Sequence, residues 1–289
     1  MKSLAYLMLL ALPALNAQQT PDNTAGRGVN FYSIEKEAAL GAQMASDFRS
    51  QKQVLDDARV NGYLRSVGDR LLKQIPETGF PFHFAAFVDG EKSGLHEARV
   101  LPGGYIYVPE SLILTARDEA EFAGMLAHAA AHAANRDATR QVSRGNLANL
   151  ATIPLIASGG WAGYSARQGA GIAIPISFLQ FQRAFELEAD YRAVPMMAGA
   201  GWDPGALARY VEREQPAADP RMPGSASRVF SPLPPLDERM AALRKAIGNL
   251  PPRDYSPSPE FAAIQAEVRR LNADRAPGTV PPTLNPPQK

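Results

Sequence analysis

The chain has 289 residues, no cysteine and a formal net charge of +1. Without cysteine there are no disulfides, thiolate metal ligands or cysteine nucleophiles, so the chemistry must use oxygen and nitrogen groups. The near-neutral charge argues against nucleic acid as a partner, which would need a concentrated basic surface.

The N-terminus is typical of a secretory signal peptide at residues 1–17. Lys2 precedes an uncharged apolar run from Leu4 to Leu12, and small residues follow as far as Ala17. The run is too short to span a bilayer. We therefore predict cleavage after Ala17, a secreted or periplasmic mature chain, and a flexible, polar lead-in at residues 18–30.

The next segments predict an alternation of helices and strands. Apolar residues at helical spacing predict one helix from Ser33 and another through residues 57–75. Runs rich in aromatic residues predict strands at 82–88 and 104–108. Residues 118–140 have acids in the first turn, an alanine-rich middle and arginines in the last turn, which predicts a third helix.

An uncharged run between Arg144 and Arg167 leaves two interpretations open. A membrane hairpin is one of them, but asparagine, proline and glycine residues interrupt the run. A lid, or a pair of helices packed on the body, is the other. Peripheral membrane contact through residues 147–178 is kept as a candidate. Helical periodicity resumes at 178–198, after Pro235, and at 260–271.

Two histidines four residues apart, His128 and His132, fall on the predicted helix at 118–140. Residues four apart lie about 40° apart around a helix axis and about 6 Å along it, so both imidazoles can reach one ion. The pair alone is weak support, because a histidine on an apolar helix is more often a hydrogen-bonded core residue. The chain has 4 histidines and none follows His132, so a third ligand further on would be a carboxylate.

The stretch FELEADYRA supplies such a carboxylate in Glu186, with Asp190 one helical turn later on the same face. A ligand followed by a carboxylate that can orient a ligating imidazole is the expected arrangement of a metal site. The alternative is an exposed acidic turn that pairs with Arg183 or Arg192. Glu188 faces another way, and we assign it to that alternative role.

The order of these motifs resembles peptidase family forty-eight of the zinc metallopeptidases. The chain reads LPGGYIYV, HAAAH, an apolar segment, ELEAD and then PPLDERM, within about Phe31 to Ile247. The resemblance implies an α+β fold: a mostly helical zincin of the gluzincin type with a small β-sheet beside the zinc helix. It also implies one Zn²⁺ per chain and polypeptide substrates or clients. The implied ligands are His128, His132 and Glu186, with Asp190 behind an imidazole.

The resemblance also divides the chain. We expect a metallopeptidase-like domain at 31–250, a C-terminal helical extension at 251–271 and a disordered, proline-rich tail at 272–289. By resemblance, an extended peptide adds to a sheet edge beside the zinc helix. Gly103, Gly104 and Tyr105, or the segment just before them around Arg99, are the candidate edge. Alternatively, LPGG is simply a turn that enters a strand.

The sequence departs from the family at positions that matter for catalysis. Family members have His-Glu-x-x-His, in which the glutamate deprotonates the attacking water and passes the proton to the leaving amine. Ala129 occupies that position, and a methyl group can do neither. Leu233 stands where the family often has an active-site histidine. Asp137 replaces a usual histidine, and residues 97–100 replace Asn-Ala-Phe-Ala.

The missing glutamate leaves the activity open. General acid–base catalysis is worth about 10²–10⁴ in rate. Glu119 and Glu121 lie two or more turns before His128, and Asp190 is expected to hold an imidazole, so the sequence offers no convincing substitute. The chain is therefore either a zinc endopeptidase impaired at Ala129 or an inactive pseudopeptidase that binds zinc and unfolded peptides in envelope quality control. A purely structural role for the histidines, without metal, is the third alternative.

Overall fold

The computed structural model describes residues 29–90, 95–144, 182–215, 233–255 and 259–275. The predicted signal peptide at 1–17 and the segment 147–178, the candidate for membrane contact, lie outside the described residues. Within the described residues, no helix has both the length and the hydropathy that crossing a bilayer requires.

Helices dominate the structure, and one small sheet accompanies them, so the predicted α+β class is confirmed. The first elements are α1 (Ile34–Gln51), α2 (Ala58–Leu72), β1 (His83–Phe87), β2 (Arg99–Leu101), a 3-10 turn (Pro102–Gly104), β3 (Tyr105–Pro109), α3 (Glu110–Thr115) and α4 (Glu119–Ala134). They are followed by the helical residues 137–144 (α5) and 182–200 (α6), then α7 (Gly205–Glu214), α8 (Leu236–Gly248) and α9 (Glu260–Ala273).

Side-chain caps fix where the long helices begin. Ser33 precedes α1 as predicted, and its hydroxyl accepts a hydrogen bond from the backbone N–H of Lys36 at 3.3 Å. The Asp118 carboxylate does the same for the N–H of Glu121 at 2.9 Å and begins α4. These side chains satisfy N–H groups that have no partner inside the helix.

The sheet has the order β1-β3-β2, with β3 parallel to β1 and antiparallel to β2. Strand β2 was not predicted, because three residues are too few to show an alternating pattern. The outer side of β1 is covered by the chain at Leu55, whose N–H donates to the oxygen of Ala86 at 2.8 Å. In the sheet order, β2 is the outer strand on the other side of β3.

The predicted sheet edge at Gly103, Gly104 and Tyr105 is therefore corrected. Tyr105 lies in the central strand, paired with His83 on one side and Leu101 on the other. Gly103 and Gly104 form the 3-10 turn, and both have positive φ, 71° and 83°. These glycines are buried against α1 and the chain before β1, so the edge is β2, in the alternative segment around Arg99.

Helix α4 runs through the core of the molecule. Its alanines at 127, 130 and 131 are almost fully buried, and it contacts α2, α7, β2 and β3. Small side chains let neighbouring elements approach its backbone closely: a Cβ at Gly124 would lie 3.0 Å from the Cβ of Leu207. The predicted helix to residue 140 is wrong in one respect, because the chain breaks at Asn135 and Arg136 before α5.

The close packing of α1 on the 3-10 turn gives a test of the fold. A Cβ at Gly41 would lie 1.9 Å from the backbone oxygen of Pro102, whereas a Cβ at Gly62, also in a helix, would meet nothing within 4 Å. We expect Gly41→Ala to lower the free energy of unfolding by about 1–3 kcal/mol through overpacking. Gly62→Ala should raise it by about 0.5–1 kcal/mol. Equal urea denaturation midpoints for the two variants would contradict this packing.

Candidate metal centre

Three side chains from two helices converge at one point. His128 and His132 come from α4 and Glu186 from α6, and one ligand atom of each lies within 4.8 Å of the others. The two Nε2 atoms are 3.0 Å apart. Glu186 Oε2 lies 3.4 Å from His128 Nε2, and Glu186 Oε1 lies 3.5 Å from His132 Nε2. The structure thus brings together the three predicted ligands.

These separations suit a zinc ion. With bonds of about 2.0–2.1 Å, tetrahedral ligand atoms lie roughly 3.3 Å from one another. Glu186 Oε2 is buried and has no hydrogen-bond partner among the described residues, although a buried acceptor normally has one. Two imidazoles and a glutamate with an unsatisfied oxygen are the protein ligands of one class of catalytic zinc site.

Asp190 supports the first imidazole. Its Oδ1 accepts a hydrogen bond from His128 Nδ1 at 2.8 Å, so that Nε2 carries a lone pair toward the other ligands. Arg239 of α8 donates to Asp190 Oδ2 at 2.6 Å and Oδ1 at 3.0 Å. This contact of Arg239 was not predicted from the sequence, in which Arg239 is the arginine of the PPLDERM motif.

Asp137 supports the second imidazole, a role the sequence analysis also missed. Its Oδ2 accepts from His132 Nδ1 at 2.7 Å, and its Oδ1 accepts from Arg140 at 3.0 Å. The break after α4 makes this contact possible, because Arg136 adopts a left-handed φ of 60°. Arg136 is held there by an ion pair with Glu37 at 2.6 Å. The carboxylate five residues after His132 was the available signal.

The pKa values of the two imidazoles are raised and that of Glu186 is lowered, which are the directions that favour a positive charge between these side chains. Burial lowers the pKa of His132, but the charge of Glu186 and the hydrogen bond to Asp137 outweigh it and raise the pKa well above its ordinary value. Burial raises the pKa of Glu186, but His132 and His128 hold it well below its ordinary range. A cation between these groups is therefore stabilised by the carboxylates around it.

The carboxylates considered as substitutes for the missing base are occupied elsewhere. Glu119 accepts hydrogen bonds from the Tyr63 hydroxyl at 2.8 Å and the Trp202 indole at 2.9 Å. Glu121 forms a two-contact ion pair with Arg213 at 2.7 Å. Neither carboxylate is therefore available to take a proton from a water molecule at the metal centre.

Ala129 and Leu233 are the two predicted departures from a catalytic site. Ala129 is buried in α4 between the two histidines. Leu233 is half-buried, and it directly precedes Pro234, whose oxygen accepts from the Gln215 amide at 2.9 Å. Gln215 in turn accepts from Arg239 at 2.9 Å. Leu233 therefore adjoins the hydrogen-bond network that ends at Asp190.

The fold and this site define a metallopeptidase of the mostly helical, two-histidine type. The sequence model of the protein family described as Peptidase family M48 matches residues 58–247 of the chain, and the chain belongs to this family. Peptidases of this family are zinc-dependent, and the triad of His128, His132 and Glu186 could hold the metal.

The chain is also similar to individual curated proteins, whose names are more specific than that of the family. A putative beta-barrel assembly-enhancing protease of Vibrio cholerae is 25% identical over 279 residues, covering 92% of this chain and 56% of the relative. The beta-barrel assembly-enhancing protease of Escherichia coli is 24% identical over 262 residues, covering 88% and 52%. That of Yersinia pestis is 22% identical over 255 residues, covering 86% and 51%. The chain thus spans about half the length of these relatives.

The carboxylate behind His132 provides a test of the metal centre. Asp137→Asn keeps the size of the side chain but weakens the acceptor for His132 Nδ1–H, so zinc affinity should fall about 10–100-fold. Asp47→Asn is the matched control, because Asp47 is exposed on α1 and its carboxylate accepts a hydrogen bond from the Gln43 amide at 3.1 Å. Competition with a chromophoric chelator measures both affinities, and equal values would remove Asp137 from the site.

The raised pKa of His132 predicts how zinc binding depends on pH. An imidazole must be neutral to bind a metal, so protons compete with zinc below that pKa. The apparent affinity should fall by about tenfold per pH unit for each proton displaced. Because the pKa is raised, the fall should begin at a higher pH than for an ordinary histidine. Zinc titrations at successive pH values test this, and a flat affinity across the histidine range would contradict it.

Proposed function

We propose that this chain is a zinc-dependent endopeptidase that acts on polypeptides in the cell envelope. The observation that carries the proposal is the convergence of His128, His132 and Glu186, with a carboxylate behind each imidazole. When bound there, zinc polarises the scissile carbonyl and lowers the pKa of a water molecule. The proposed secreted or periplasmic location rests on the predicted signal peptide at residues 1–17.

The chain's own residues divide the remaining work. Asp190 and Asp137 keep the protons of His128 and His132 on Nδ1, so that both Nε2 atoms face the metal position. The side of β2 away from β3 is the candidate position at which an extended peptide would add to the sheet. Since β2 contacts α4, such a peptide would lie beside the helix that carries both histidines.

Ala129 supports a second candidate function. A chain that keeps the ligands and a sheet edge but has no base on the zinc helix would hold peptides without cutting them. Leu233 favours the same interpretation. This second candidate is a pseudopeptidase that binds zinc and unfolded polypeptides as a chaperone-like module of envelope quality control.

Cleavage assays separate the two functions. The zinc-loaded chain, with and without a chelator, is compared with Ala129→Glu on an unfolded protein and a fluorogenic peptide. Cleavage by the native chain that the chelator abolishes supports the peptidase. Cleavage by Ala129→Glu alone supports the pseudopeptidase. A purified chain that takes up no zinc contradicts both.

The assignment of Glu186 as a metal ligand can be tested against Glu188, which lies two residues later on the same helix and serves as a matched control. Glu188 pairs with Arg140 at 3.7 Å and Arg192 at 3.9 Å rather than with either histidine. We expect Glu186→Gln to lose zinc affinity by more than the roughly 10–100-fold that removing an outer support costs. Glu188→Gln should keep the native affinity. Unchanged zinc content in Glu186→Gln, measured by mass spectrometry, would remove Glu186 from the ligand set.

A further inference from the structure

Glu37 of α1 is a buried carboxylate that contacts the chain directly after the histidine helix. Its side chain is 1% exposed. Its Oε2 atom accepts a hydrogen bond from Arg136 Nε at 2.6 Å and another from the Thr139 hydroxyl at 2.8 Å. Arg136 and Thr139 lie on either side of Asp137 in the chain, and Asp137 accepts from His132 Nδ1. Glu37 therefore holds both sides of the short segment that presents Asp137.

The guanidinium of Arg136 is held by the N-terminal segment at two points. Besides its ion pair with Glu37, its Nη2 atom donates to the backbone oxygen of Tyr32 at 2.6 Å. The backbone of Arg136 has a φ of 60°, a left-handed conformation that is disfavoured for a residue with a Cβ atom. The two contacts of the side chain thus retain a backbone conformation that an arginine would not favour by itself.

The conformation of Arg136 determines where Asp137 lies. Helix α4 ends at Ala134 and α5 begins at residue 137, so the chain changes direction within two residues. In a continuous helix, residues five apart lie about 140° apart around the axis. Asp137 and His132 would then lie on different faces. The turn instead brings Asp137 Oδ2 to 2.7 Å from His132 Nδ1.

Helix α1 is a firm base for Glu37. The second carboxylate oxygen, Oε1, faces the N–H of Gly103 at 3.5 Å. A Cβ atom at Gly41 would overlap the backbone oxygen of Pro102, so α1 and the 3-10 turn are in close contact. Helix α1 also precedes residues 58–247, which match the family. The contact with Arg136 thus comes from outside the matched part of the chain.

We propose that Glu37 is a positioning residue of the metal centre, because its contact with Arg136 maintains the left-handed turn that aims Asp137 at His132. Glu37 acts on the imidazole through Arg136 and Asp137 rather than by contact with it. The inference rests on the metal centre of the proposed function. It applies to the peptidase and to the pseudopeptidase alike, since both bind zinc.

A purely structural role of the ion pair between Glu37 and Arg136 is the competing explanation. Replacing a buried ion pair by apolar residues of similar size is often neutral or stabilising, so stability alone is a weak reason for the pair. A structural pair affects the free energy of unfolding and leaves the zinc affinity of the folded chain unchanged. A positioning residue affects that zinc affinity, and only while Asp137 is present to be aimed.

The first comparison uses the full chain as native protein, Glu37→Gln and Glu35→Gln. Glu35→Gln is the matched control, because it removes the same charge from the same helix at an exposed position. Zinc affinity is measured by competition with a chromophoric chelator, and circular dichroism verifies that each variant is folded. The affinity of Glu37→Gln should fall about 5–30-fold, the factor that corresponds to the cost of a left-handed residue. Glu35→Gln should match the native chain, and an equal affinity for Glu37→Gln would overturn the proposal.

A double-mutant cycle with Asp137→Asn shows whether Glu37 acts through Asp137. Asp137→Asn alone removes the group that the turn aims. Adding Glu37→Gln to it should therefore lower the zinc affinity by less than about threefold further, and the two effects should be non-additive. A loss from Glu37→Gln that is equally large with and without Asp137→Asn would overturn the proposed route.

Glycine at position 136 provides a rescue. Glycine adopts a positive φ without the steric penalty of a Cβ atom, so it does not need the ion pair to form the turn. Glu37→Gln combined with Arg136→Gly should bind zinc within about threefold of native, whereas Glu37→Gln combined with Arg136→Ala should stay weak. Should Glu37→Gln fail to fold, Arg136→Gly and Arg136→Ala are compared in the native background, with the same order expected. Equal affinities for the glycine and alanine variants would overturn the proposal.

The failure of this proposal is distinguishable from failure of the proposed function. If the native chain binds zinc and Glu37→Gln binds it equally well, Glu37 is a structural residue only, and both candidate functions stand. If the native chain takes up no zinc, the metal centre itself is wrong, and the positioning role of Glu37 falls with it.

Discussion

The contact between Asp190 and Arg239 holds the candidate site together. Both side chains are almost completely buried, at 1% and 0% exposure, where an unpaired charge would be strongly destabilising. Removing one partner of such a pair costs about 3–5 kcal/mol. Burial raises the pKa of Asp190, but Arg239 and the hydrogen bond to His128 reverse the shift and keep the carboxylate ionised. One ion pair therefore fixes α6 against α8 and His128 against both.

The orientation of the second imidazole, that of His132, depends on a different set of contacts. His132 depends on Asp137, and Asp137 reaches it because the chain turns through a left-handed residue, Arg136, directly after α4. Such a backbone conformation is uncommon for a residue other than glycine. The ion pair of Arg136 with Glu37 of α1 maintains it. The orientation of the two histidines thus depends on contacts from four other helices, α1, α5, α6 and α8, as well as on their spacing along α4.

Sequence alone predicted the local parts of this arrangement. The N-cap at Ser33, the strand that contains Tyr105 and the convergence of His128, His132 and Glu186 follow from spacing or family resemblance, and the family match confirms the resemblance. The parts it missed depend on contacts between distant segments or on the backbone conformation of Arg136. Arg239 meets Asp190 across 49 residues, and Asp137 reaches His132 through the left-handed turn at Arg136. The first candidate for the sheet edge, at 103–105, was wrong, and β2 lies in the second, around Arg99. Its 3 residues are too few for a periodic signal.

X-ray absorption spectroscopy of the zinc-loaded chain tests the central claim most directly, since it reports the atoms bonded to the metal without depending on activity. Coordination by His128, His132 and Glu186 predicts nitrogen and oxygen scatterers at about 2.0–2.1 Å, with the outer-shell signature of two imidazoles. That signature should disappear when both histidines are replaced. A spectrum without imidazole scattering, or one that is identical in the double histidine variant, would mean that zinc binds elsewhere and would contradict the site described above.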